Sequence, residues 1–350
     1  MEILRDSGAQ LGLSRHLHPA MLKSLRFLPA LIAFTLLSAR VAVADPAPAV
    51  APATPAPATP IPGPPPTLAD VRYGSHERQV LDFYRAESDR PTPLLFFIHG
   101  GGWTAGDKAG RTGASVKPYL NAGISVVSIN YRYTWQAQIA GIEPPVKAPL
   151  EDAARALQFV RSKAAEWNLD KQRIGAQGGS AGACSSLWLA LHDDMADPQS
   201  SDPVARESIR LWCAAVSGAQ TSLDPQQLLE WTPNSRYGGH AFGFMDPRSI
   251  KTRDTRFAEF AAARERLLPW IQEYSPIAHA SAGDPPIYLI YTSAPALGQP
   301  QQDPTHTANY GVKLQEKLHS FGVACELVYP GAPEIKHASA DAFLIDTLKK

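Results

Sequence analysis

Three cysteines in 350 residues are too few and too scattered for a disulfide framework. Cys184, Cys213 and Cys325 are odd in number, each lies in an apolar stretch, and no pair has metal-ligand spacing. They read as small buried hydrophobes, not as redox or catalytic thiols. A chain of this size can bury a core without such staples, so the scarcity of cysteine does not exclude export. Excess charge of one sign is also missing: 33 Lys and Arg stand against 33 Asp and Glu, with no basic stripe and no run of like charges. That balance excludes nucleic acid and other polyanions as expected partners. An apolar run from Phe27 to Ala39 is too short for a comfortable membrane span, so no stable insertion is expected.

What is present falls into three parts. Residues 1–44 hold a mixed stretch and then, from Met21, a basic start, the apolar run and AlaValAla at 42–44 before Asp45. These are the parts of a secretory signal peptide, with Met21 as its start and a membrane anchor as the alternative. Secretion or a periplasmic location is the expectation. Residues 45–66 contain ten prolines among Ala and Thr, an extended spacer that carries no chemistry. Residues 67–350 form the folding domain.

Within that domain, residues 69–73 and 79–85 flank GlySerHisGlu and suggest an antiparallel hairpin. Continuous apolar runs at 92–99 and 124–131 fit strands buried on both faces. Short strands are expected at 173–178, 211–216, 286–291 and 324–329, with helices at 149–166, 181–192 and 307–320. Strands alternating with crossover helices imply an α/β fold with a mostly parallel sheet covered on both faces. Residues 218–275 break the alternation with one helix at 256–268, and read as a cap-like insertion over the C-terminal strand ends.

Gly178-Gly179-Ser180-Ala181-Gly182 lies between an expected strand and an expected helix. A serine nucleophile there needs a strained, tight turn with nearly bare neighbours, and the following helix points its positive end at it. Upstream, His99-Gly100-Gly101-Gly102-Trp103 directly follows the 92–99 strand. Acyl transfer passes through an anionic oxygen that needs preorganised N–H donors, each worth ~2.7–4 kcal/mol. Gly101, Gly102 and Ala181 are the expected donors.

These segments, with AsnTyrArgTyr at 130–133 and ProLeuGluAspAlaAlaArgAlaLeu at 149–157, resemble the HGGG-bearing esterases of the α/β-hydrolase superfamily. Those are the hormone-sensitive-lipase-like and acetylesterase- or feruloyl-esterase-like enzymes, and the similarity runs over roughly residues 68–350. It implies an α/β-hydrolase fold, carboxylic-ester hydrolysis, no cofactor, no metal and a triad ordered Ser, acid, His. Where that family carries its acid, this chain has Pro295, so the resemblance moves the acid to Asp303 in AspProThrHis. A helix cap ahead of 307–320 is the other reading of Asp303. The base expected after the last strand is His337, in ProGlyAlaProGluIleLysHis; a surface or capping histidine is its alternative. His306 reads as the start of a helix.

Aromatics at Trp103, Tyr131, Tyr133, Trp135, Trp231 and Tyr237 stand in loops expected above the sheet. Trp103, Tyr133 and His240 are the expected substrate-contacting residues, although ordinary packing explains any single aromatic equally well. The expected partner is a small-molecule or carbohydrate ester. Two further readings remain open: a hydrolase-derived binding module without a working triad, and a serine exopeptidase.

Overall fold

The consecutive apolar side chains of Thr92–Ile98, and the Val126, Val127 and Ile129 side chains of Ser125–Ile129, suit the middle of a sheet covered on both sides. The computed structural model, which describes residues 63–111 and 115–350, places them there. All described residues belong to one compact unit, Thr59–Lys350. The signal-peptide-like segment and most of the proline-rich stretch lie outside the described residues. Among the described residues, no helix is long and apolar enough to cross a membrane.

Eight strands form one sheet: β1 (Leu68–Arg72), β2 (Val80–Tyr84), β3 (Thr92–Ile98), β4 (Ser125–Ile129), β5 (Leu169–Gly179), β6 (Cys213–Ser217), β7 (Ile287–Ile290) and β8 (Cys325–Val328). Their spatial order is β1-β2-β4-β3-β5-β6-β7-β8. The hairpin expected at 69–85 is present and antiparallel, and β2 also pairs antiparallel with β4; every other pairing is parallel. With its mixed edge, parallel body and helices, this is the α/β-hydrolase fold.

The chain leaves β3 for β4 on one side and returns to β5 on the other. The strand order therefore reverses at β3, and the crevice beyond its C-terminal end is where open sheets bind ligands. Ile98 pairs in register with Gly178. The loops that follow β3 and β5 are thus neighbours by construction.

The helix Ala181–Leu191 is buried along its whole length. Its two internal hydroxyls are silenced locally, Ser185 donating to the Ala181 carbonyl at 3.0 Å and Ser186 to the Gly182 carbonyl at 2.8 Å. All three cysteines are free and buried, and burial raises the thiol pKa of each. In 218–275 the structure departs from expectation. The single helix at 256–268 is two, Phe257–Ala262 and Arg264–Tyr274, preceded by Pro225–Trp231.

Candidate active site

Ser180 caps the helix Ala181–Leu191 with φ 53° and ψ −122°, a positive-φ conformation that a non-glycine residue holds only under constraint. Two backbone hydrogen bonds supply it: Ser180 N–H to the Ser217 carbonyl at 2.9 Å, and Cys184 N–H to the Ser180 carbonyl at 3.0 Å. The turn also demands glycine at 182, where a Cβ would stand 2.1 Å from the Ile98 carbonyl oxygen. Strand β3 and the Ser180 turn can approach only because that side chain is missing.

The histidine that reaches Ser180 is His306. Its Nε2 lies 2.9 Å from the Ser180 Oγ, and its Nδ1 lies 2.8 Å from the Asp303 Oδ2. The other Asp303 oxygen accepts the backbone N–H groups of Thr305 (3.1 Å) and His306 (3.2 Å). Asp303 thus folds its own turn and presents its free oxygen to the imidazole three residues on. Burial pushes the Asp303 carboxyl up, but the His306 hydrogen bond and charge, helped by those N–H groups, hold it below the usual carboxylate range. The pair is not deeply buried: the His306 side chain is 36% exposed and that of Asp303 59%.

Long-range bonds fix this loop. Asn309 donates to the Trp231 carbonyl at 2.7 Å, Gln301 and Asn234 exchange two hydrogen bonds at 3.0 and 2.8 Å, and Gln220 donates to the Thr305 carbonyl at 2.7 Å. Gly218, at φ +56°, makes room for the ring, since a Cβ there would be 3.2 Å from the His306 Cβ.

His337, the histidine expected in this place, is elsewhere. Two carboxylates hold its ring, Glu326 at 2.9 Å from Nδ1 and Asp346 at 3.3 Å from Nε2, while its carbonyl accepts the Tyr288 hydroxyl at 3.0 Å. With both nitrogens engaged at the end of the sheet, it is absent from the clefts that hold Ser180. His306 stands beside Ser180 instead because the long loop after β7 brings AspProThrHis back over the serine.

In the 99–103 loop, Gly101 and Gly102 have φ +108° and +62°, and the Gly101 carbonyl closes the turn by accepting Thr104 N–H at 3.0 Å. Among the described residues, no carbonyl takes the N–H of Gly101 or Gly102 in this turn. Ala181 is the first residue of its helix, where an N–H has no intrahelical partner. The three groups named from the sequence thus share free N–H groups beside Ser180. His99, buried beneath and stacked on Tyr131 at 4.2 Å, has its pKa lowered to about 4 by burial, with the Arg78 charge adding to it.

Of the three expected substrate contacts, Trp103 and His240 are fully buried, while Tyr133 is partly exposed. Trp103 has φ 53°, which turns its side chain inward; it is 0% exposed and donates to the Ser185 Oγ at 2.9 Å. His240 is likewise 0% exposed, 6.0 Å from the Trp103 ring, with its pKa lowered to about 3 by burial and then by the Arg253 charge. Tyr133 lies under the Arg78 guanidinium (3.9 Å) and donates to the Gly106 carbonyl. Trp103 and His240 pack beneath the glycine loop, and Tyr133 bonds the chain just after it at Gly106. The groups that do face Ser180 come from elsewhere: a cleft of about 740 Å³ holds Arg111, Gln177 and Tyr291, and one of about 700 Å³ holds Lys251, Arg253 and Asp254 from the insertion.

Comparison with known proteins agrees with this architecture. The mycobacterial esterase LipQ from Mycobacterium tuberculosis is 33% identical over 131 residues, which is 35% of this chain and 28% of that protein. This chain therefore spans little more than a quarter of the length of the curated relative. Among solved structures, an acetyl ester-xyloside bifunctional hydrolase from Caldicellulosiruptor lactoaceticus aligns over 71% of this chain and 76% of its own, with TM-score 0.52 and 26% identity. A truncated carbohydrate esterase from gut microbiota aligns over 81% of this chain and 96% of its own, with TM-score 0.60 and 20% identity. The BD-FAE family model matches residues 81–304, well over half of the chain, from within β2 to just past Asp303. The chain belongs to the BD-FAE family.

Proposed function

We propose that this protein is a serine carboxylic-ester hydrolase that works through an acyl-enzyme, with Ser180 as nucleophile, His306 as base and Asp303 as the group that orients it. The observation that carries the reading is the unbroken chain from Ser180 Oγ to His306 Nε2 at 2.9 Å and from His306 Nδ1 to Asp303 at 2.8 Å. A carboxylate on Nδ1 selects the tautomer whose Nε2 is free to accept. His306 takes the Ser180 hydroxyl proton as the oxygen adds to the ester carbonyl. Gly101, Gly102 and Ala181 offer N–H groups to the resulting oxyanion. The proton on His306 then goes to the departing alcohol, and water repeats the cycle on the acyl-enzyme.

Small or carbohydrate-linked esters are the substrates that the clefts favour. Arg111 and Gln177 on one side, and Lys251, Arg253 and Asp254 on the other, place a few polar groups in clefts that are otherwise largely apolar, an arrangement suited to a small acyl group joined to a hydroxyl-bearing alcohol. Two of the structural relatives carry carbohydrate esterase or acetyl ester-xyloside hydrolase in their names, in keeping with that class. A binding module without a working triad would rest on Pro295 in the acid's usual place and on the displaced His337; the bonds from His306 to Ser180 and Asp303 support the enzyme reading over it. The segment 21–44 supports export to the periplasm or medium; an exported protein beginning at Asp45 is the expected result, and retention of the 21–44 segment would refute it.

The test is hydrolysis of p-nitrophenyl acetate and of acetylated xylo-oligosaccharides by the wild type and Ser180→Ala. Turnover lost in the variant is expected, with mass spectrometry placing an organophosphonate adduct on Ser180. Equal rates in both proteins would end the proposal.

A further inference from the structure

A second cluster of chemistry-bearing side chains sits at the far end of the helix that starts at Ser180. His192 follows the last residue of Ala181–Leu191, Glu273 lies in the last turn of Arg264–Tyr274, and His279 closes the short helix Pro276–His279. One donor atom from each lies within 4.8 Å of the others. No local spacing announces the group, because His192 and Glu273 are 81 positions apart.

The hydrogen bonds around these rings decide what they present. His192 Nδ1 is 2.7 Å from the Asp193 carbonyl oxygen, and a carbonyl only accepts, so Nδ1 carries the hydrogen. The remaining nitrogen, Nε2, faces the Glu273 Oε1 at 3.1 Å. His279 Nε2 is 2.6 Å from the Glu273 carbonyl and must donate there, which leaves Nδ1 with the lone pair. The same carbonyl accepts the Trp188 indole N–H at 2.9 Å, so the backbone of Glu273 is fixed from two sides. In this hydrogen-bonding pattern His192 Nε2, the Glu273 carboxylate and His279 Nδ1 are the atoms that the backbone carbonyls leave uncommitted.

We propose that His192, Glu273 and His279 form a divalent-cation site of the zinc class, remote from Ser180. Two imidazoles and a carboxylate are a zinc donor set, with a fourth position left for water. Backbone carbonyls that lock the non-ligating ring nitrogens are the usual outer support of such sites. Donors about 2 Å from a tetrahedral ion stand ~3.3 Å apart, close to the 3.1 Å between His192 and Glu273. The three donor atoms lie within 4.8 Å of one another, so metal binding would draw the His279 ring in by up to ~1.5 Å. Glu273 and His279 also border an open cleft of about 740 Å³, which gives an ion a way in. Bound there, zinc would tie the end of the insertion to the helix that carries the nucleophile.

The test loads the chelator-treated full chain with zinc sulfate and measures bound metal by elemental analysis and unfolding temperature by calorimetry. One zinc per chain and a rise of several degrees are expected, with cobalt giving the visible absorption of tetrahedral N/O coordination. Glu273→Gln and His279→Asn should each weaken zinc uptake at least tenfold while ester turnover stays within about twofold. Folding of each variant is checked by circular dichroism without metal. Failure of the wild type to take up zinc, or uptake unchanged in both folded variants, overturns the site; either result leaves the Ser180 reading untouched.

Discussion

Replacing Asp303 by Asn tests the polarity of the relay with almost no change in shape. The amide keeps one oxygen, so the Thr305 and His306 N–H groups can still be accepted and the turn survives. What changes is the atom 2.8 Å from His306 Nδ1. An amide NH₂ facing Nδ1 makes that nitrogen the acceptor, moves the ring hydrogen to Nε2, and leaves nothing to take the Ser180 proton. In a buried triad the same exchange costs about 10⁴ in kcat. Here the carboxylate is 59% exposed and the imidazole 36%. Water can therefore rescue part of the tautomer balance, and a loss of ~10²–10³ in kcat, about 3–4 kcal/mol, is expected. KM should move little, because Asp303 bonds the imidazole and not the substrate. The assay is steady-state hydrolysis of p-nitrophenyl acetate with circular dichroism as the folding control. A folded Asp303→Asn variant within threefold of the wild type would refute the reasoning.

Other outcomes follow from single contacts. Gly182→Ala places a Cβ 2.1 Å from the Ile98 carbonyl; chemical denaturation should show a loss of at least 1–3 kcal/mol, with activity falling alongside it. Arg253 reaches the glycine loop, its Nη1 lying 2.8 Å from where a Gly102 Cβ would be; Arg253→Gln should lower kcat three- to tenfold with a smaller change in KM, and an unchanged kcat would remove the cation from the account. His99 and His240 are buried with pKa values of about 4 and about 3, below the unfolded ~6.5. The unfolded chain therefore binds more protons between those limits, so stability is complete above pH ~6.5 and falls as pH drops toward 4. Urea unfolding should show a loss of ~2 kcal/mol per histidine between pH 7 and pH 5, and a flat profile would contradict the burial argument.

Much of this was readable from the chain because it is written in local signals. Runs such as PheIle at 97–98 and ValVal at 126–127 mark buried strands by composition, and the Gly-rich turns at 100–102 and 178–182 mark where backbones must approach closely. The base was not readable in that way. His306 and His337 each follow a strand, and only the third dimension shows that an 18-position excursion after β7, pinned by Asn234 and Asn309, returns over Ser180. The clue that did exist is AspProThrHis itself: a carboxylate that caps its own turn faces a side chain three residues on. Trp103 and His240 were misplaced for a related reason. Loop aromatics look like binding residues until a positive φ at Trp103 sends the indole under the loop. The helix at 256–268 appeared as one because its apolar spacing continues across the break at Ala263.

Exchanging the two histidines tests the central claim most directly. Ester turnover is measured for His306→Ala and His337→Ala beside the wild type. His306→Ala should lose on the order of 10⁴–10⁶ in kcat, while His337→Ala, which removes only the link between Glu326 and Asp346, should stay within about threefold. The opposite pattern, activity surviving without His306 and vanishing without His337, would contradict the account.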